Sequence, residues 1–178
     1  MKSWIAFFRG INVGGNNRLP MKDLVELLEV LGVSDARTYI QSGNAVFRSP
    51  EGPAARWEAA IGEAVEARFG FAPRVLVMDA AALAAAASAN PFPAAETDHK
   101  TLHLFFLADT PTSPDWAGLD RVKSPSEAYA LIGRVFYLHA PDGIGRSKLA
   151  ERAERLLGVE ATARNWRTVQ SVLALAQQ

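Results

Sequence analysis

The stretch ARTYIQSGNAVFRS, residues 36 to 49, decides how the rest of the chain is read. ARTYIQ (36–41) and NAVFRS (44–49) have the β-branched and aromatic content of strands, and Ser42-Gly43 between them signals a tight hairpin. A helical pattern lies on each side. Upstream, Leu24, Leu27, Leu28 and Leu31 recur at three-and-four spacing, with Pro20 suited to the first turn and Gly32 as the stop. Downstream, Trp57, Ile61, Val65 and Phe69 mark an amphipathic helix over residues 53–69. Further out, SWIAFFRG (3–10) reads as a buried strand and PRVLVMD (73–79) as another. The order is βαββαβ, the ferredoxin-like arrangement.

The second half repeats the theme more faintly. TLHLFFLA (101–108) is a strand, a short helical or irregular piece holds Trp116, and EAYALI (127–132) pairs with RVFYLH (134–139) across Gly133. A helix over Ser147 to Leu157, an extended ATAR (161–164) and a last helix over Asn165 to Ala176 complete the chain. The expected fold is α+β, a ferredoxin-like N-terminal half (1–79) and a smaller α+β half (101–178) with the marks of a degraded ferredoxin-like repeat. The alanine-rich segment that opens residues 80–100 forms a plain connecting helix stopped at Asn90-Pro91.

Composition narrows the function classes. The 178 residues are 49% hydrophobic, enough for a substantial core. Nineteen basic residues balance nineteen acidic ones, so no global field draws in nucleic acid or anionic membranes. The balance is uneven: residues 1–50 carry six basic and four acidic groups, residues 79–130 three and seven, residues 145–178 six and three. The absence of cysteine excludes disulfides, thiolate metal sites and cysteine nucleophiles. The apolar run Trp4 to Phe8 is too short for a signal peptide and is cut off by Arg9, so a cytoplasmic protein without a membrane segment is the expectation.

The chemistry-bearing stretch is RGINVGGNNR, Arg9 to Arg18. In a ferredoxin-like unit the loop after the first strand and the turn between the second and third lie at one end of the sheet, where the first helix also begins. Gly14, Gly15, Asn16 and Asn17 would turn amides toward a phosphate or carboxylate there, with Arg9 or Arg18 supplying a charged fork. Asn12, Asn16 and Asn17 tolerate left-handed geometry. Gln41, Ser42 and Asn44 would orient a polar ligand at the same mouth. The alternative is that these residues only turn the chain, the asparagines bonding their own backbone. GIGRSKL supplies a second candidate anion site in Arg146, Ser147 and Lys148, with Ser147 also a natural N-cap. ARNWRT sets Arg164 and Arg167 beside Trp166, which could hold a planar anionic ligand but reads first as a surface arginine packed on tryptophan. His99, His103 and His139 lack the spacing of metal ligands, so no metal is expected, and His103 and His139 read as satisfied strand residues.

The stretches FFRGINVGGNNRLPM, TYIQSGNAVFRS, NPFP, PDGIGRSKL and ATARNWRTV resemble, in the same order over essentially the whole chain, those of the bacterial domain of unknown function 1697 family. The resemblance implies an α+β protein with a ferredoxin-like N-terminal part and a smaller α+β part behind it. It implies no activity, cofactor or residue role.

Three functions follow from the residues: a small phosphate- or carboxylate-bearing ligand at the Arg9–Arg18 loop, RNA or single-stranded nucleic acid stacked on a sheet, or a protein-interaction module. Nucleic acid ranks below the small ligand, because Trp4, Ala6 and Phe8 on one face of the first strand and Ile5 and Phe7 on the other are apolar enough that both faces should be covered. No nucleophile, base and orienter occur together, so the sequence assigns no reaction.

Overall fold

The computed structural model describes all 178 residues, and they form two compact units: Met1–Ala85 with Gln170–Gln178, and Ala86–Val169. The expected borders at residues 79 and 100 are displaced by this division. It falls inside the alanine-rich helix, and the last nine residues go with the first unit rather than the second.

In the first unit, β1 (Lys2–Arg9), α1 (Met21–Val30), β2 (Ser34–Thr38), β3 (Asn44–Ser49), α2 (Ala54–Phe69) and β4 (Arg74–Asp79) follow in that order. The sheet order is β2-β3-β1-β4 with every pair antiparallel, which is the ferredoxin-like topology. Strand alternation places Trp4, Ala6 and Phe8 on the face that meets Leu24, Leu27 and Leu28 of α1 and Trp57, Ile61 and Val65 of α2. Phe47 meets Trp57 edge-to-face at 5.3 Å. Ile5 and Phe7, on the opposite face of β1, are fully buried as well. α2 ends where the sequence requires it, at Gly70 with φ +79°.

The tight hairpin does not form. β2 starts at Ser34 and stops at Thr38, and Tyr39 to Gly43 make a wider loop with Ile40 at φ +51°. Asn44 is the cause: its buried carboxamide donates to Tyr39 O at 2.9 Å and to Ser42 Oγ at 3.2 Å, and its own carbonyl accepts from Tyr39 N. These bonds close a loop that a two-residue turn could not.

The second unit repeats the topology. From α3 (Ala80–Ser88), which the border crosses, the chain runs into β5 (Leu102–Leu107), α4 (Trp116–Val122), β6 (Ala128–Ile132), β7 (Val135–His139), α5 (Lys148–Leu157), β8 (Ala161–Asn165) and α6 (Trp166–Ala176), whose residues from Gln170 onward belong to the first unit. The sheet order is β6-β7-β5-β8, again antiparallel throughout, so the expected degraded repeat is a full second ferredoxin-like sheet. Its core joins Phe105, Leu107, Phe136 and Leu138 to Leu119 of α4 and Leu149, Ala153 and Leu157 of α5. The β6–β7 turn at Gly133, φ +58°, is the two-residue hairpin that the first unit lacks. No helix is long and apolar enough to cross a membrane.

Candidate functional site

At the open end of the first sheet, the Arg9–Arg18 stretch folds into a miniature hairpin. Gly14 and Gly15, at φ +58° and +78°, form its turn, and Val13 pairs with Asn16 through an Asn16 N–H bond to Val13 O at 3.0 Å. Two successive positive φ values are the geometry for which glycine pairs are suited. Asn12 N–H donates to Asn17 O, closing the second rung.

The hairpin is fastened at its base by asparagine side chains. Asn12 Nδ2 donates to Leu19 O at 2.9 Å and to Gln41 O at 2.8 Å, while its Oδ1 accepts from Leu19 N at 2.8 Å. Asn17 Nδ2 donates to Gly10 O at 3.0 Å. Gly43 completes the contact between segments. Its carbonyl accepts from Phe8 N, it sits at φ +89°, and a Cβ there would stand 2.6 Å from Ile11 Cδ1 and Phe8 Cβ. The loop after β1 and the link between β2 and β3 are thus neighbours.

The ten residues singled out from the sequence divide into two groups. Asn12, Asn17 and Asn44 have their carboxamides engaged in holding the loops. Gly14 and Gly15 serve the turn, and the amide of Asn16 is used on Val13. Arg9, Asn16, Arg18, Gln41 and Ser42 are exposed at this end. Arg74 went unnoticed in the sequence. It is the cross-strand partner of Arg9, so two guanidinium side chains leave the same face of neighbouring strands. That face is the one of Ile5 and Phe7, opposite α1 and α2. The start of α1 lies at this end too: Pro20 follows the Asn12-bound Leu19 directly and gives no side-chain cap.

The remaining candidates are placed as follows. Ser147 is buried and its Oγ accepts from Ala150 N at 3.0 Å, the N-cap of α5, with Arg146 and Lys148 exposed on either side. Trp166 is buried and Arg167 exposed, while Arg164 is half-buried, donating to Ala163 O at 2.9 Å, with burial holding its guanidinium pKa down to about 10. His103 departs from expectation. Its Nδ1 is buried without a hydrogen-bond partner, and burial pushes its pKa down to about 4. No three acidic or histidine side chains gather into a metal-binding group.

Two ferredoxin-like units in one chain, the first carrying a glycine-turned, asparagine-fastened hairpin beside its β2–β3 link, define the class of protein. The chain belongs to the family of proteins of unknown function designated DUF1697, whose model matches residues 1–137. It is similar in fold to the conserved bacterial protein SP0830 from Streptococcus pneumoniae, with a TM-score of 0.69 and 18% identity over 98% of each chain. No curated protein matches it.

Proposed function

We propose that this protein binds a small phosphate- or carboxylate-bearing ligand at the end of its first sheet, between the Arg9–Arg18 hairpin and the Gln41–Asn44 turn. The observation that carries the reading is the Asn12 carboxamide. It binds both segments, so the exposed side chains of Asn16, Arg18, Gln41 and Ser42 stand on one fixed frame. Arg9 and Arg74 add positive charge at the same end of the sheet, and the uncapped start of α1 adds its dipole. The nucleic-acid alternative is weaker. Base-stacking on a ferredoxin-like sheet needs an exposed aromatic face, and Trp4, Ile5, Ala6, Phe7 and Phe8 are all buried.

Thermal denaturation against a panel of inorganic phosphate, nucleotides, sugar phosphates and dicarboxylates tests the reading. A ligand at a hundredfold excess over its Kd stabilises by about 2.7 kcal/mol, roughly 5 to 10 °C for a chain of this size. The expected result is such a shift in the wild type that Arg18→Gln removes. Equal shifts in wild type and variant would overturn the loop site.

A further inference from the structure

In the second unit, α4 lies against α5. Asp115 N donates to Leu156 O at 2.8 Å, and Gly118 comes so close that a Cβ there would stand 2.7 Å from Leu156 Cδ2. Beside this contact is a recess of about 380 Å³, lined by Arg121 from α4 and by Arg152 and Arg155 from α5. Arg152 and Arg155 are three residues apart on one face of α5, while Leu149, Ala153 and Leu157 on the other face are buried in the core. No protein carboxylate makes an ion pair with any of the three guanidinium groups. Asp115, the one acid lining the recess, has its Oδ1 occupied by Gly118 N at 2.9 Å, the cap of α4.

Three cations with one capping carboxylate leave the lining with two net positive charges, and like charges gathered in one recess repel unless an anion joins them. Arginine presents planar forks that match phosphate oxygens two at a time, and forks from two helices can hold such a group from different sides. We propose that the recess between α4 and α5 is a binding site for a small molecule carrying a phosphate or pyrophosphate group. The size suits this, since pockets for small molecules begin at about 300 Å³. A nucleic-acid backbone is disfavoured: the cations converge on one recess instead of forming a stripe, and the chain has zero net charge. The site uses no residue of the hairpin in the first unit and stands or falls independently of it.

Titration of the full chain with inorganic pyrophosphate, followed by calorimetry and by the Nε–Hε NMR signals of the arginines, tests the assignment. The expected result is saturable binding that moves the signals of Arg121, Arg152 and Arg155. Arg121→Gln, and separately the pair Arg152→Gln with Arg155→Gln, should each weaken it by at least about tenfold, as loss of charge-assisted bonds requires. These side chains are exposed, so the variants should melt with the wild type in the absence of ligand. Arg18→Gln should leave these arginine signals moving as before. No binding up to about 10 mM, corresponding to the weakest useful affinities, overturns the proposal. So does binding that survives the recess variants; if Arg18→Gln abolishes that residual binding, the hairpin reading stands and the recess falls. A fluorescein-labelled single-stranded RNA that the recess variants release and pyrophosphate fails to displace would assign the surface to nucleic acid and overturn the small-molecule site.

Discussion

Asn12 meets two requirements with one side chain. Its backbone sits at φ +54°, a conformation that asparagine tolerates and alanine resists, and its carboxamide satisfies both polar groups of the fully buried Leu19 while reaching Gln41. Asn12→Ala should cost about 2 to 4 kcal/mol, the sum of backbone strain and a stranded Leu19 N–H. Asn12→Gly, which relieves only the strain, should recover roughly 1 kcal/mol of that. Urea denaturation of the three proteins measures both, and an alanine variant within about 0.5 kcal/mol of the wild type would contradict the fastening role. His103 is the opposite case, a polar side chain whose Nδ1 lacks a partner. Its pKa is about 4 in the folded chain against 6.5 when unfolded, so the unfolded state binds the proton more readily. Its influence therefore leaves stability intact above pH 6.5 and erodes it as pH falls from 6.5 toward 4, by up to about 3 kcal/mol. His103→Gln removes this dependence. Between pH 7 and pH 4 the unfolding free energy of the wild type should fall relative to that of the variant by up to about 3 kcal/mol, and parallel curves would show that burial does not hold the imidazole neutral.

Among the elements, those whose stability is local were the legible ones. The spacing of Leu24, Leu27 and Leu28 in α1, of Trp57, Ile61 and Val65 in α2, and the Ser147 cap of α5 are each visible within a few residues, and each element forms where they indicate. The ferredoxin-like order was legible for the same reason, because it needs only the sequence of element types. The β2–β3 link was not. Serine and glycine at 42 and 43 satisfy the rule for a tight turn, but the buried Asn44 carboxamide selects a wider loop, and burial is a property of the assembled sheet. The sites divide in the same way. The Arg9–Arg18 loop drew attention because its glycines and asparagines are contiguous, and its proximity to the β2–β3 link followed from topology, whereas its hairpin pairing of Val13 with Asn16 did not show in the sequence. The opposition of Arg9 and Arg74 depends on strand register, and the convergence of Arg121 with Arg152 and Arg155 depends on how α4 meets α5. The motif at Arg146, Ser147 and Lys148 drew attention to the start of α5, whereas the recess arginines lie further along the same helix.

At the scale of the whole chain, the same four-strand order occurs twice, yet the two compact units do not follow the two halves of the sequence. Gln170–Gln178 belongs with the first unit. This segment brings Val172 and Ala176, both buried, and its final residue accepts a hydrogen bond from Arg37 of β2 at 2.9 Å. The first unit is therefore completed by residues distant from it in sequence, and a chain shortened after Val169 loses part of that unit's packing while keeping every strand of both sheets. Uncovering the site of one fully buried valine costs about 1.5 to 3 kcal/mol, a large fraction of the margin by which a domain stays folded. Hydrogen exchange should then show the amides of β1 and β3 losing protection on truncation, while those of β5 and β7 exchange nearly as in the full chain. Equal loss in both sheets would mean that the two units unfold as one, and unchanged protection in β1 would mean that the last nine residues contribute nothing to the first.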